Sequence, residues 1–246
     1  MTHADLETSS ADYATRFSGS AGRWMLEIQA RLLHGFFKGS IHNHQEPVTI
    51  LDIGGGHGQI AQALNGSSYA PLIGLTVFGS APSARATLDL ATLDKLGSCV
   101  FQSGSFERLP FADQSIDIVT SLRLLPHYDN WQGLVAEMCR VARRAVIVDV
   151  PTYQSCNAVS SLLFPLKKKI EGNTRSYTLF KRSEITECFA KNKFGFVDIR
   201  GEFFLPMVVH RMLRNGILSE ALEAIPKSLG LTDLLGSPVI IRAIRG

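Results

Sequence analysis

The chain lacks any apolar run approaching the roughly 20 residues needed to cross a bilayer. Its longest are Phe203 to Val209 and Pro238 to Ile241, so no membrane-spanning helix is expected. Met1 to Ser10 is polar and acidic, not basic and then apolar, and does not read as a signal peptide. Cysteine is scarce: Cys99, Cys139, Cys156 and Cys188 contain no Cys-x-x-Cys pair. They read as buried thiols in a reducing cytoplasm, which argues against a metal site or a disulfide framework. Repeats and low-complexity tracts are missing as well. With 45% hydrophobic and 19% charged residues, the 246-residue chain suits one packed α/β domain with a modest insertion.

Charge of one sign is also missing overall, the net being only +3, but its distribution is uneven. Residues 1–160 carry −3, residues 161–214 carry +6 and the tail is neutral. An excess of that kind suits an anionic substrate or surface near the later segment, or simply a solvated helix face.

What the chain does have is Val48-Thr49-Ile50-Leu51-Asp52-Ile53-Gly54-Gly55-Gly56-His57-Gly58. A short apolar strand ends in an acid and opens into glycines. Strand, glycine turn and helix together bring backbone N–H groups close to a nucleotide. Glycine permits positive φ in the turn and has no Cβ to obstruct a ligand. A dinucleotide fingerprint can be laid over Gly56 to Ala61, but it wants an acid about 20 residues further on. Between Gln59 and Leu88 there is no Asp or Glu.

The rest of the chain alternates. The first forty residues read as helix, with Tyr13, Phe17, Trp24, Ile28, Leu32 and Phe36 tracing one apolar stripe. Strands are expected at 48–53, near 71–77, at 99–102, 115–121, 145–150, 196–203 and 237–244. Helices are expected after the glycine turn, at 83–93, 131–141, 183–193, 208–213 and 219–229. Strands alternating with helices imply a doubly wound, Rossmann-like α/β sheet of seven strands.

The spacing of Asp52, Gly54, Gly56 and Gly58 resembles motif I of the class I S-adenosylmethionine-dependent methyltransferases, of the small-molecule type 11 kind. Gly104 to Val119, with Leu109-Pro110-Phe111 and an Asp-x-Ser turn, resembles the segment leading into that family's fourth strand, and Leu124 to Val141 its next loop and helix. The resemblance covers residues 48–150. It implies a mostly parallel sheet whose last strand inserts antiparallel. It also divides the chain into an N-terminal helical cap at 1–46 and a methyltransferase domain at 47–246, with 152–181 and 204–232 as substrate-side insertions.

By resemblance, Gly54, Gly55, Gly56 and Gly58 line the methionine part of S-adenosylmethionine, and Asp52 orients the loop or the amino group. Thr76 and Val77 would sit by the ribose, Ser105 and Phe106 by the adenine, and Ser121 beside the methionine. Tyr13, Arg16 and Trp24 would close over the cofactor from the other side. Two departures stand out. Thr76 or Val77 replaces the acid that accepts from the ribose hydroxyls, a loss of about 1 kcal/mol or somewhat more. Ser105 stands where an Asp often faces the adenine.

His127, in the loop after the fourth strand, is the candidate general base. No metal is expected. The Asn/Asp-Pro-Pro-Tyr/Phe signature of amino methylation is missing, as is a Pro-Cys nucleophile, and nothing indicates a nucleic-acid partner. O- or C-methylation of a small molecule is the expected activity. Lys167, Lys168, Lys169, Arg175 and Arg211 beside Phe203 to Val209 suggest an acidic or amphiphilic acceptor, with room for peripheral membrane contact. A non-catalytic accessory protein and a dinucleotide-dependent oxidoreductase are the alternatives. The oligomeric state is not legible in the chain.

Overall fold

The computed structural model describes residues 4–8, 15–41, 46–65, 67–85, 95–155 and 177–246. Its centre is a seven-stranded sheet: β1 (Val48–Ile53), β2 (Ile73–Gly79), β3 (Ser98–Ser103), β4 (Ile116–Ser121), β5 (Ala142–Val150), β6 (Phe194–Gly201) and β7 (Val239–Arg245). The spatial order is β3-β2-β1-β4-β5-β7-β6. β7 is antiparallel to both β5 and β6, and the remaining pairings are parallel. The seven expected strands and the antiparallel last strand are therefore present.

The helices among the described residues are α1 (Ala4–Thr8), α2 (Gly19–Ser40), α3 (Gln59–Leu64), α4 (Trp131–Val141), α5 (Arg182–Lys191), α6 (Met207–Leu213), α7 (Gly216–Ser228) and α8 (Leu231–Leu235). The helix expected at 83–93 begins as a single 3-10 turn at Pro82–Arg85, and 86–93 lies outside the described residues.

Strands buried on both faces read as continuous apolar runs, and β5 ends in six consecutive buried residues. One core cluster packs Leu51, Ile53, Phe78 and Val146 against α4 and α5. The other packs Ile50, Leu75, Val77 and Ile147 against α2 and α3. On α2 the fully covered stripe is Met25, Gln29, Leu33 and Phe37, at i, i+4 spacing. It lies one position round from the expected Ile28 and Leu32, which flank it half-buried. The large residues marked the helix, but the buried centre includes Gln29, a polar residue that no apolar pattern picks out.

Two polar clamps hold the frame away from the site. Asp117 is buried near the start of β4 and accepts from Thr49 N–H at 3.0 Å and Thr49 Oγ1 at 2.9 Å. Burial would raise its pKa, but those bonds, with Arg143 and Arg144, hold the carboxyl below the usual carboxylate range. Glu137 and Arg140 on α4 grip the preceding loop. Glu137 accepts from Leu109 N–H at 2.8 Å, while Arg140 donates to the carbonyls of Leu109 at 3.0 Å and Phe111 at 2.8 Å. The Leu109-Pro110-Phe111 segment is thus held in place by α4.

Cysteine burial is uneven. Cys139 is buried, and its thiol is pushed up to about 12 by desolvation. Cys99 and Cys188 are only half-buried, which corrects the expectation of four buried thiols; Cys156 lies outside the described residues.

Candidate functional site

β1 pairs in parallel with β2 on one side and β4 on the other, so chain order reverses about β1. In open α/β sheets that reversal opens a crevice at the carboxyl ends of the strands. The glycine turn stands there. Gly54 and Gly58 have φ of +74° and +72°, which strain any other residue. Gly54 N–H donates to Phe78 O at 2.8 Å, and Gly58 N–H to Gly55 O at 2.9 Å. Gly58 then caps α3. A Cβ on Gly55 would lie 1.8 Å from Asp52 Oδ2, so the turn rests directly on that carboxyl.

Asp52 is buried and accepts from Thr120 Oγ1 at 2.9 Å. Burial, with Asp149 nearby, pushes it up to about 7 against the lowering effect of Thr120. His57, inside the turn, lies with Nε2 3.4 Å from Leu122 O. Burial and the Arg123 charge push it down to about 3, so the ring is neutral.

Beyond β4 the structure gathers a polar cluster that the sequence reading missed. Arg123, at φ +61°, donates its N–H to the Asp149 carboxylate near the end of β5. Its guanidinium lies 3.9 Å over the Phe17 ring and bonds Gln29 Oε1 at 3.3 Å. Gln29 donates to Glu202 Oε1 at 3.0 Å. With its amide oxygen turned toward Arg123, Gln59 accepts from Nη1 at 2.9 Å. Burial pushes Asp149 up to about 6, opposed by the Arg123 N–H and charge. Glu202 is pushed up to about 8 by burial and by Asp149. One signal was available in the sequence: Asp149 is the only polar residue in the run Ala145 to Val150.

The other expected residues divide. Ser121 is buried and donates to Ile53 O at 3.0 Å, tying β4 to β1. Ser105 is exposed and accepts from Glu107 N–H at 3.1 Å. Phe106 turns inward, edge-on to Tyr128 at 5.9 Å and tilted against Phe78 at 6.1 Å. His127 is half-buried in the turn Leu125–His127.

Thr76 and Val77 do not reach the end of β2, which corrects their expected position. Register pairs them with Leu51 and Asp52, and the strand runs on to Gly79. Val77 is a core residue. Phe78, Gly79 and Ser80 stand at the strand end, and none is an acid. A carboxylate does arrive there from α1: Asp5 accepts from Ser80 N–H and Ser80 Oγ, both at 2.6 Å, and is fully buried.

Trp24 also departs from expectation. It packs on Phe203 at 5.4 Å and His210 at 4.9 Å, toward the C-terminal helices, while Phe17 is the aromatic that reaches the cluster. Tyr13 lies outside the described residues. A separate cleft of about 430 Å³ runs between α2 and β6, α7 and α8. Glu202, Trp24, Arg31, Lys227 and Arg242 help line it, and no residue of the glycine turn does.

A family model described as a methyltransferase domain matches residues 51–148, the stretch from the glycine turn through β5. Over residues 51–148 the chain is similar to methyltransferase domains. A curated relative from Mycolicibacterium vanbaalenii, described as an uncharacterized methyltransferase, is 33% identical over 99 residues. That match spans 40% of this chain and only 36% of the relative. Among solved structures, magnesium protoporphyrin IX methyltransferase from Synechocystis PCC 6803, with bound S-adenosylhomocysteine, superposes with a TM-score of 0.58 at 11% identity. It covers 96% of this chain and 93% of its own. The 4+2 cyclase SpnF superposes equally well, at 0.58 and 15% identity over 88% and 80% of the two chains. At these identities the likeness shows the fold alone.

The donors and acceptors at this edge fit an adenosylmethionine. The ligand brings an ammonium, a sulfonium and a ribose diol, all of which seek acceptors. The edge supplies the buried carboxyls of Asp52 and Asp149 beneath and beside a turn in which His57 is the one residue with a side chain.

Proposed function

We propose that this chain binds S-adenosylmethionine at the glycine turn and transfers its methyl group to a small-molecule acceptor, at oxygen or carbon. The observation that carries the reading is Gly54 to Gly58 seated on the buried Asp52 carboxyl, at the reversal of chain order beside β1. Gly54, Gly55, Gly56 and Gly58 would take the methionine part, and Asp52 its amino group. Ser121, Thr76 and Val77 are weaker candidates, being committed to the strands. Ser105 and Phe106 remain candidates for the adenine side.

The sulfonium carries its own leaving group, so the protein's task is placement. Arg123 and Gln29 fix the polar wall beside the turn, and α2 with Phe17 shields it from water. His127 is the proposed base, taking a proton from the acceptor as the new bond to carbon forms. His127→Ala is expected to lower turnover about 100-fold while leaving cofactor affinity unchanged. Equal turnover by the variant removes that role.

The proposed acceptor is acidic or amphiphilic. The surplus of +6 over residues 161–214 supports this. The substrate-side reading of 204–232 rests on the packing of α6 and α7 against α2, whereas Lys167 to Lys169 and Arg175 lie outside the described residues.

A second reading, in which the fold is kept without methyl transfer, has one observation behind it: β2 ends in no acid. Calorimetric titration with S-adenosylmethionine, S-adenosylhomocysteine and NADH separates the readings. Micromolar binding of the adenosyl ligands alone is expected. No binding favours the accessory role, and NADH binding overturns the assignment.

A further inference from the structure

Arg123 sits in the loop that rests on the glycine turn. Leu122, before it, places its carbonyl 3.4 Å from His57 Nε2, and Leu124, after it, would meet a Cβ on Gly54 at 3.0 Å. Arg123 is half-buried and holds φ at +61°, a left-handed conformation that costs any residue but glycine. The Asp149 carboxylate accepts from its backbone N–H and fixes the loop there.

The guanidinium is oriented by neutral groups. It lies 3.9 Å over the Phe17 ring and donates to Gln29 Oε1 at 3.3 Å and to the Gln59 amide oxygen at 2.9 Å. Gln59 opens α3 directly after Gly58, so the fork stands at the outgoing end of the turn. Neutral partners set the direction of a guanidinium without cancelling its charge. His57, pushed down to about 3 by burial and by that same charge, is neutral, and within this cluster Arg123 is the cation. The neighbouring acids do not need its side chain for their bonds. Asp149 is met by the backbone N–H, which any residue but proline would offer, and Glu202 by Gln29 at 3.0 Å.

An amino-acid moiety is a zwitterion, whose ammonium seeks acids and whose carboxylate seeks a cation. We propose that Arg123 recognises the carboxylate of the cofactor's methionine part, and thereby selects S-adenosylmethionine over its decarboxylated form. An arginine fork matches a carboxylate through paired N–H bonds and stays charged at every working pH. The acids at this edge would admit either form, since both carry the ammonium and the sulfonium; the arginine tells them apart. The inference rests on the cofactor reading above. Its rival is a purely structural Arg123 that balances Asp149 and Glu202, whose carboxyls burial raises and this charge lowers.

Calorimetric titration of the full chain with S-adenosylmethionine and with decarboxylated S-adenosylmethionine separates the two. The parent is expected to bind the carboxylated form about 30-fold more tightly. Arg123→Gln keeps the backbone bond to Asp149 and removes the charge. It should weaken S-adenosylmethionine about 30-fold and the decarboxylated form by less than about threefold. Arg123→Lys, a point charge without the fork, should keep part of the preference. Thermal unfolding by circular dichroism checks that both variants are folded. Equal affinity of the parent for the two forms, which needs no variant, overturns the proposal and leaves the cofactor reading standing. Equal weakening of both forms in Arg123→Gln also overturns it and assigns the side chain to the fold. Binding of neither form by the parent overturns the cofactor reading, and this inference with it.

Discussion

The glycine edge of β1 and the C-terminal helices α6 to α8 are held by opposite means. At the glycine turn, neighbours in sequence do most of the work: Gly55 rests on Asp52 and Gly58 bonds back to Gly55, all within seven residues. In the C-terminal helices, contacts come from far away. Glu223 holds Phe204 and Leu205, while Ser20 on α2 donates to Arg214 O and accepts from Gly216 N–H, across 194 and 196 residues. Local constraint leaves a pattern in the sequence. Remote constraint leaves single polar residues that look unremarkable until they meet.

The strongest way to break the local side is Gly55→Ala. Its Cβ would fall 1.8 Å from Asp52 Oδ2, forcing the turn or the carboxyl to move. A loss of about 3 kcal/mol of stability is expected in denaturant unfolding, together with loss of adenosyl-ligand affinity. The remote side is broken by Glu223→Gln, which removes a carboxylate serving two backbone N–H groups and His210. The expected cost is about 2 kcal/mol. Hydrogen exchange should quicken in residues 204–213 while β1 and β4 keep their protection. If both regions loosen together, the two are one cooperative unit and the contrast fails.

The smallest effect sharpens the comparison. Glu202 is buried with its pKa raised to about 8, well above its unfolded value. A carboxyl raised in the fold contributes stability below its unfolded pKa, and that contribution is lost as pH rises through the folded value. Stability should therefore decline between about pH 5 and pH 8. Glu202→Gln should flatten that decline, read by urea unfolding at the two pH values. An unchanged slope would assign the pH dependence to Asp52 and Asp149 instead.

Much of the sheet was legible. Strand β1 and the glycine turn follow from residues that permit little else there, and the apolar run of β5 from burial on both faces. The errors have physical causes. The resemblance puts Thr76 or Val77 at the end of β2, but the Gly54 N–H bond to Phe78 O carries pairing further and the strand runs on to Gly79. Trp24 is expected over the cofactor, yet its ring packs against Phe203 and His210 instead.

By itself, the sequence determined where the strands lie, the glycine turn and the acid beneath it. These depend on side-chain size, backbone freedom and alternation, all local properties. Only the tertiary structure decided which distant groups share the edge. It brought Arg123 to Asp149, Gln29 to Glu202 and Asp5 to Ser80. Those pairings satisfy buried donors and acceptors across the folded chain, and a buried polar group takes whichever partner the packing delivers.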